Sequence, residues 1–481
     1  MSDMNATVTE VANGFNVCGY EKIEYDFAFL DGVFDTANPQ LAKCYRTWGR
    51  CLAVMDLNIF TLYGEVIEAY FKSHNIDLTI HKTMIGEKAK SMDTLLSIID
   101  SMNDFGVYRK EPVLVVGGGL VTDVAGFACA AYRRNTNYIR VPTTVIGLID
   151  ASVSIKVAVN YGQYKNRLGA YHAPMHTFLD FTFLRTLPTA QIRNGFAELI
   201  KISSCAHKET LDLLDEHCED LIGNAFGRSD ASSKALREAA DKICRAGILE
   251  MLKLETPNLH EIMLDRVIAY GHTWSPLHEL VPNPPLRHGH AISIDMAYSA
   301  TLSYLRGLLT AEDHQRLLRL FSRAGLSMDH DQFDGPLLEK ATAAILRTRD
   351  GKLRAAVPIS PMGECTFLND VSQKEMLAAL EAHKRLMKEY PRHGAGIDAF
   401  VDAGDTGYTV HGQAVESTMP EYTTGNGVRS NGAGDVAYNP IPSTDAAPTA
   451  IFGNDIDKNK GLASLAPRQI AVTVQDGAGE S

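Results

Sequence analysis

The chain has 481 residues and a formal charge of −12. That length suggests two or three domains, at roughly 100–200 residues each. The acidic balance excludes the clustered base that nucleic acid or an anionic membrane surface requires, and without an apolar run of about 18 residues no transmembrane helix is expected.

The first fifteen residues carry neither a basic nor an apolar signal region. The eight cysteines form no CxxC pair, so they read as reduced thiols in a cytoplasmic protein. Residues 1–17 read as a flexible leader. From 18 to 188 strand-like and helix-like segments alternate, the pattern of a mostly parallel sheet covered by helices. The first strand, 51–55, runs into Asp56 and Asn58. An acidic residue there could hold ribose hydroxyls or cap the next helix. Glu87 and Lys90 stand three apart where a helix over 90–105 begins, as a nucleotide contact or as an ion pair on a solvated face.

The strand 113–116 ends in Gly117, Gly118 and Gly119 and leads into a helix over 120–132. Three glycines let the backbone approach a ligand closely. The free N–H groups and positive end of the helix suit a pyrophosphate. The spacing is not GxGxxG, and a tight turn with no ligand gives the same pattern. Arg133 and Arg134 follow the helix. The strand 138–141 ends in Pro142, Thr143 and Thr144, whose hydroxyls could meet a nucleotide or merely close a loop. Next, 154–159 alternates strictly: Ile155, Val157 and Val159 face one way, Lys156, Ala158 and Asn160 the other. With Lys165, Asn166 and Arg167 just beyond, this is a local cationic cluster in an acidic chain, suited to a phosphate. A solvated strand face is the plainer alternative.

After Pro188 the pattern becomes helical, with apolar residues three and four apart over 193–204, 210–222, 234–251, 291–305 and 311–324. Glu198 and Lys201 share a helix face. His272 and His288 are separated by four prolines (Pro276, Pro282, Pro284, Pro285), so they belong to different elements. One carboxylate and two imidazoles leave open positions on a metal, as catalysis needs; two structural histidines would look the same. From 393 to 481 come 13 glycines, 5 prolines and a net charge of −7, read as a disordered tail.

The segments GGGLVTDVAGF, YRRNTNYIRVPTTVIGLIDASVSIKVAVN, KNRLGAYHAP, FLRTLP, RNGFAELIK, GHTWSP and RHGHA resemble the sugar phosphate cyclase superfamily, whose founding type is 3-dehydroquinate synthase. The resemblance runs from about residue 18 to 390. It implies an α/β Rossmann-like domain (18–188), an all-α metal- and substrate-binding domain (189–392), a recycled NAD, a zinc or cobalt ion, a sugar phosphate substrate and a homodimer. By motif the metal ligands would be Glu198, His272 and His288. The active-site set would be Asp150, Lys156, Asn160, Lys165, Asn166 and Lys201, with Arg134 a phosphate contact. The cofactor set would be Asp56, Asn58, Glu87, Lys90, Gly117, Gly118, Gly119, Asp123, Thr143, Thr144 and Lys165.

In one place the chain departs from the dehydroquinate synthase pattern. Asp265 stands where that pattern has a carboxylate-binding Arg, Ala269 replaces its Asn, and Pro276 its second His. An Asp repels a carboxylate substrate. The pattern, with LETPNLHEIMLDRVIAYGHTWSP and IKVAVN, instead resembles the branch that cyclises sedoheptulose 7-phosphate, gadusol-type rather than valiolone-type. A metal-dependent NAD alcohol dehydrogenase is the more remote alternative, since such enzymes share the two-domain plan.

Overall fold

The computed structural model describes residues 4–83, 86–162 and 164–402. Its strands are β1 (Met4–Val11), β2 (Gly14–Glu21), β3 (Asp26–Phe29), β4 (Arg50–Asp56), β5 (Asp77–Thr83), β6 (Val113–Gly117), β7 (Tyr138–Pro142), β8 (Lys156–Tyr161), β9 (Tyr164–Tyr171) and β10 (His176–Leu179). The helices of this half are α1 (Gln40–Lys43), α2 (Leu57–Ser73), α3 (Met92–Phe105) and α4 (Gly119–Ala131). A six-stranded sheet has the order β3-β10-β7-β6-β4-β5, and its paired strands are parallel. β4 and β6 are neighbours, but β4 continues outward to β5 on one side and β6 to β7 on the other. The strand order therefore reverses between them. In open α/β sheets that reversal opens a ligand crevice at the carboxyl ends of the strands.

Both faces of the sheet are covered. Leu114, Val116, Met55 and Ile139 pack with Tyr70 and Phe71 of α2; Val113, Val115 and Val54 pack with Leu95 and Ile98 of α3 and Val124 of α4. Alternate residues of one strand thus feed two cores, so the strands read as continuous apolar runs. β8 and β9 form a separate antiparallel pair. There Val157 and Val159 are buried while Lys156 and Asn160 keep partial exposure, as the alternation predicts.

The second half is helical: α5 (Thr189–Ala206), α6 (Lys208–Glu216), α7 (Cys218–Gly223), α8 (Lys234–Glu255), α9 (Ser275–His278), α10 (His288–Leu305), α11 (Ala311–Arg323), α12 (Gly335–Thr348) and α13 (Gln373–Met387). A hairpin, β11 (Ala355–Ile359) with β12 (Glu364–Leu368), interrupts them. Pro188 stands at the N-cap of α5. α5 and α10 are buried almost all round, which makes them the central pair of this half. The single helix expected over 210–222 is two, broken at His217. No helix among the described residues is long and apolar enough to cross a membrane.

Two expectations about the termini are corrected. Residues 4–17, read as part of a flexible leader, pair with the start of the next segment as the β1–β2 hairpin, in register from Met4 opposite Glu21 to Val11 opposite Gly14. Residues 393–402, assigned to the disordered tail, are docked: Met328 N donates to Gly394 O (2.7 Å), Ile397 N to Gly325 O (2.8 Å) and Val401 N to Pro285 O (2.9 Å). Composition averaged over 89 residues hid a short segment held to the body by backbone hydrogen bonds. The tail expected beyond 402 lies outside the described residues.

Candidate active site

Glu198 projects from the middle of α5 and is fully buried. His272 follows Gly271, whose φ of +75° turns the chain there; His288 is the first residue of α10. The metal-capable atoms of the three residues lie within 4.8 Å of one another. His288 Nε2 is 2.9 Å and His272 Nε2 3.9 Å from the same oxygen, Glu198 Oε1. The outer nitrogen of each ring is also engaged: His272 Nδ1 lies 3.2 Å from Tyr270 O, and His288 Nδ1 3.0 Å from Glu279 Oε2. An imidazole whose Nδ1–H is given to a carbonyl or carboxylate presents its Nε2 lone pair inward, the usual support of a metal ligand. Two imidazole nitrogens and one carboxylate oxygen with open directions fit a catalytic zinc or cobalt, which binds the rings in their neutral form.

The charges around this centre are paired. Lys201, one turn after Glu198, is 2.5 Å from Glu198 Oε2 and 3.6 Å from Asp150 Oδ2. Burial works against Glu198's charge, but Lys201 and His288 hold the carboxyl well below its usual range. Burial also opposes the charge of Lys201, which Asp150 and Glu198 raise above the ordinary amine range. Asp150 is pushed up by burial to about 6, against the pull of Lys201. Burial, reinforced by Lys201, drives His272 down to about 3. For His288, Glu279 and Glu198 overcome burial and lift the ring to about 9.

The glycine turn reaches this centre by a short path. Gly118 caps α4, and a Cβ on Gly119 would meet Ala151 Cβ at 3.1 Å; Ala151 is the neighbour of Asp150. A Cβ on Gly195 of α5 would overlap Val145 Cβ at 2.3 Å, so only glycine lets the helix that carries Glu198 press onto the loop after Thr144. Thr143 N donates to Gly117 O (3.0 Å), and Thr144 Oγ1 accepts from Gly147 N (3.1 Å). Asp56 lies at the crevice end of β4, but Oδ1 accepts from Ile59 N at 2.8 Å: of the two readings, the helix cap is the one seen. Asn58 is exposed on the first turn of α2.

Glu87 and Lys90 do not pair with each other. Lys90 Nζ meets Asp123 Oδ2 at 2.5 Å, while Glu87 takes Asn160 Nδ2 at 2.7 Å and Lys165 Nζ at 3.4 Å. Lys165 Nζ also meets Glu279 Oε1 at 2.6 Å. Since Glu279 Oε2 holds His288, one carboxylate joins the basic strand to the metal centre. Asn166 N donates to Asn160 Oδ1 (2.9 Å), and Asn166 has a φ of +51°. Lys156 lies between Glu255 and Glu261, 3.0 Å from each. A cavity of ≈ 290 Å³ opens there, lined by Lys156, Glu255, Glu261, Asp265 and Arg266. Asp265 is paired with Arg354 at 2.6 Å.

Sequence reasoning missed Glu255, Glu261, Glu279 and Arg266. None stands in a spacing that distinguishes it from a surface charge, and only the approach of a lysine or histidine from another element singles it out. It also placed Arg134 with the phosphate. That residue is exposed beyond the far end of α4, about 20 Å along the helix axis from the glycine turn at 1.5 Å per residue.

The 3-dehydroquinate synthase N-terminal family model matches residues 80–194, and the C-terminal model matches 195–350. A demethyl-4-deoxygadusol synthase of Trichormus variabilis is 52% identical over 400 residues, 83% of this chain and 97% of that protein. A 2-epi-5-epi-valiolone synthase of Actinomyces is 36% identical over 78% of this chain and 99% of its own length. Among solved structures, the valiolone synthase ValA of Streptomyces hygroscopicus, with NAD⁺ and Zn²⁺ bound, is 36% identical, with a TM-score of 0.72 over 77% of this chain and 99% of that one. Both halves of the chain, sheet and helical bundle alike, thus belong to the 3-dehydroquinate synthase-like family of sugar phosphate cyclases.

Proposed function

We propose that this protein cyclises sedoheptulose 7-phosphate to desmethyl-4-deoxygadusol with release of phosphate. The reading takes the 18–188 half to carry NAD and the 189–392 half a zinc or cobalt ion and the substrate. The observation that carries it is the convergence of Glu198, His272 and His288, both rings oriented from behind, beside a basic strand in an otherwise acidic chain. The relative that is 52% identical supports the gadusol-type product, and the relatives near 36% keep a valiolone product as the second reading.

Held by that triad, a divalent ion supplies Lewis acidity toward substrate oxygens, and NAD⁺ supplies a hydride acceptor that is restored within the turnover. The remaining work falls to the chain. Lys165 and Lys156, each poised between carboxylates, are charged at neutral pH; with Asn160 and Asn166 they hold the phosphate. Oxidation of one hydroxyl acidifies the adjacent C–H. Loss of that proton expels phosphate, and its departure is eased by the same cations. Return of the hydride, ring opening and an intramolecular aldol would close the carbocycle, and loss of one water with tautomerisation would give the conjugated gadusol-type product. Asp150 and Lys201 form the proton relay at the metal-facing hydroxyls. Asp265, tied to Arg354, disfavours a substrate carboxylate in the cavity beside it.

Incubation with sedoheptulose 7-phosphate, NAD⁺ and cobalt should release phosphate with no net change at 340 nm and give a conjugated product that absorbs in the ultraviolet. Accumulating NADH would instead identify an alcohol dehydrogenase, and a product transparent above the amide region a valiolone synthase. Gly118→Val, whose Cβ would stand 3.0 Å from Thr144 Cγ2, should weaken NAD⁺ at least tenfold in a calorimetric titration; unaltered affinity would remove the glycine turn from the cofactor site.

The reading includes a cytoplasmic setting and a homodimer. One face of the β1–β2 hairpin sets Val8 opposite Val17 and Glu10 opposite Phe15; Val8, Val17 and Phe15 are 67–74% exposed. A two-stranded hairpin is marginal alone in water, and an apolar face of this kind suits a self-complementary two-fold contact. Val8→Lys with Val17→Lys should halve the mass measured by light scattering. A dimer that persists in the double variant places the contact elsewhere.

A further inference from the structure

We infer that the strap formed by residues 394–402 positions the metal centre, with Asp398 as its fastening; the inference rests on the metal reading of Glu198, His272 and His288. The strap runs antiparallel to the loop that delivers His288. Val401 N donates to Pro285 O (2.9 Å), Phe400 bridges Leu286, and Arg287 N donates to Ala399 O (2.8 Å). Arg287, the residue before His288, is almost wholly buried. Its guanidinium donates to Asp398 O and meets Asp402 Oδ2 at 2.7 Å. The Asp398 carboxylate turns the other way and takes Arg193 Nη1 at 3.1 Å. Arg193 lies on α5, five residues before Glu198, and is anchored to Ala324 O at 2.9 Å.

Asp398 therefore joins the two helices that carry metal ligands, holding α10 through its carbonyl and α5 through its side chain. A ligand set assembled from separate elements keeps its geometry only if those elements keep their spacing, and outer contacts of this kind commonly change metal affinity by about 10–100-fold. The strap's seat is close-fitting. A Cβ at Gly396 would lie 2.5 Å from both His290 Nδ1 and Ser327 Oγ, so a larger residue there forces the segment off the body. Asp398 has a φ of +55°, which Gly and Asn adopt at little cost. Asp398→Gly thus removes the side chain without straining the backbone.

The test loads the full chain with Co²⁺ and reads affinity by chelator competition together with the visible absorption of the bound ion. Gly396→Val should weaken Co²⁺ about tenfold or more and alter the absorption bands. Asp398→Gly should do so to a smaller degree, and Asp398→Asn, whose amide oxygen can still accept from Arg193, should restore most of the loss. Should Gly396→Val fail to fold, the Asp398 pair decides. Wild-type affinity and an unchanged spectrum in Asp398→Gly overturn the inference. A wild-type protein that takes up no cobalt fails the metal reading itself and this inference with it, so the two failures are distinguishable.

Discussion

His288→Ala is expected to abolish metal retention and to lower turnover by at least about 10³, while circular dichroism stays that of the parent. On the proposed metal reading the residue contributes one of three ligand atoms, and its loss leaves the other two, Glu198 Oε1 and His272 Nε2, 3.9 Å apart. A Lewis acid is worth several kcal/mol of transition-state charge stabilisation, and each 1.4 kcal/mol is tenfold in rate. Folding should survive because His288 is the first residue of α10 and keeps partial exposure, whereas the helix is anchored by the apolar side chains that follow it, Ile292, Met296 and Ala300 among them. Metal content by atomic emission after dialysis, beside a phosphate-release assay, measures both effects. A variant that retains a full equivalent of metal and its turnover removes His288 from the centre.

Lys201→Met should be the most destabilising single change in the site, and its cost should depend on metal. The ammonium is buried and is the counter-charge of both Glu198 and Asp150. Methionine is close in volume, so packing is kept, but a buried carboxylate loses its partner. Breaking a buried ion pair from one side costs about 3–5 kcal/mol. In the metal-free protein the denaturant midpoint should fall accordingly. With zinc bound, the ion neutralises Glu198 from its other side, and the gap between variant and parent should narrow. Denaturation with and without zinc checks this, and an equal loss in both states would show that the lysine acts on packing alone. Turnover should fall by at least about 10², as expected when a proton-transfer partner is removed.

The reach of sequence reasoning varied with the range of the forces involved. The strands 51–55, 113–116 and 138–141 were legible because both faces of a parallel sheet are buried and each strand becomes a short apolar run. The turn after Val116 was legible because three successive glycines have a local conformational reason. The helix Leu57–Ser73 was not marked out, although Asp56 caps it, because the same aspartate read equally well as a ribose ligand. The hairpin over 4–21 was missed because its apolar residues stay exposed and mimic a polar leader. Glu198, His272 and His288 came from motif resemblance; spacing could not assemble them, since they lie on a helix, a loop and a second helix.

Sequence by itself determined that this is an α/β half followed by a helical half, with a glycine turn and a basic strand. These follow from periodicity and residue chemistry, which act over a few positions. Only the tertiary structure decided which charges meet. Lys165 shares Glu279 with His288, Lys156 sits between Glu255 and Glu261, Arg134 lies at the opposite end of α4 from the glycine turn, and a short segment of an apparently featureless tail lies against the loop that precedes His288. Electrostatic and hydrogen-bond partners are chosen by distance in space, and distance along the chain carries almost no information about it once the helices have packed.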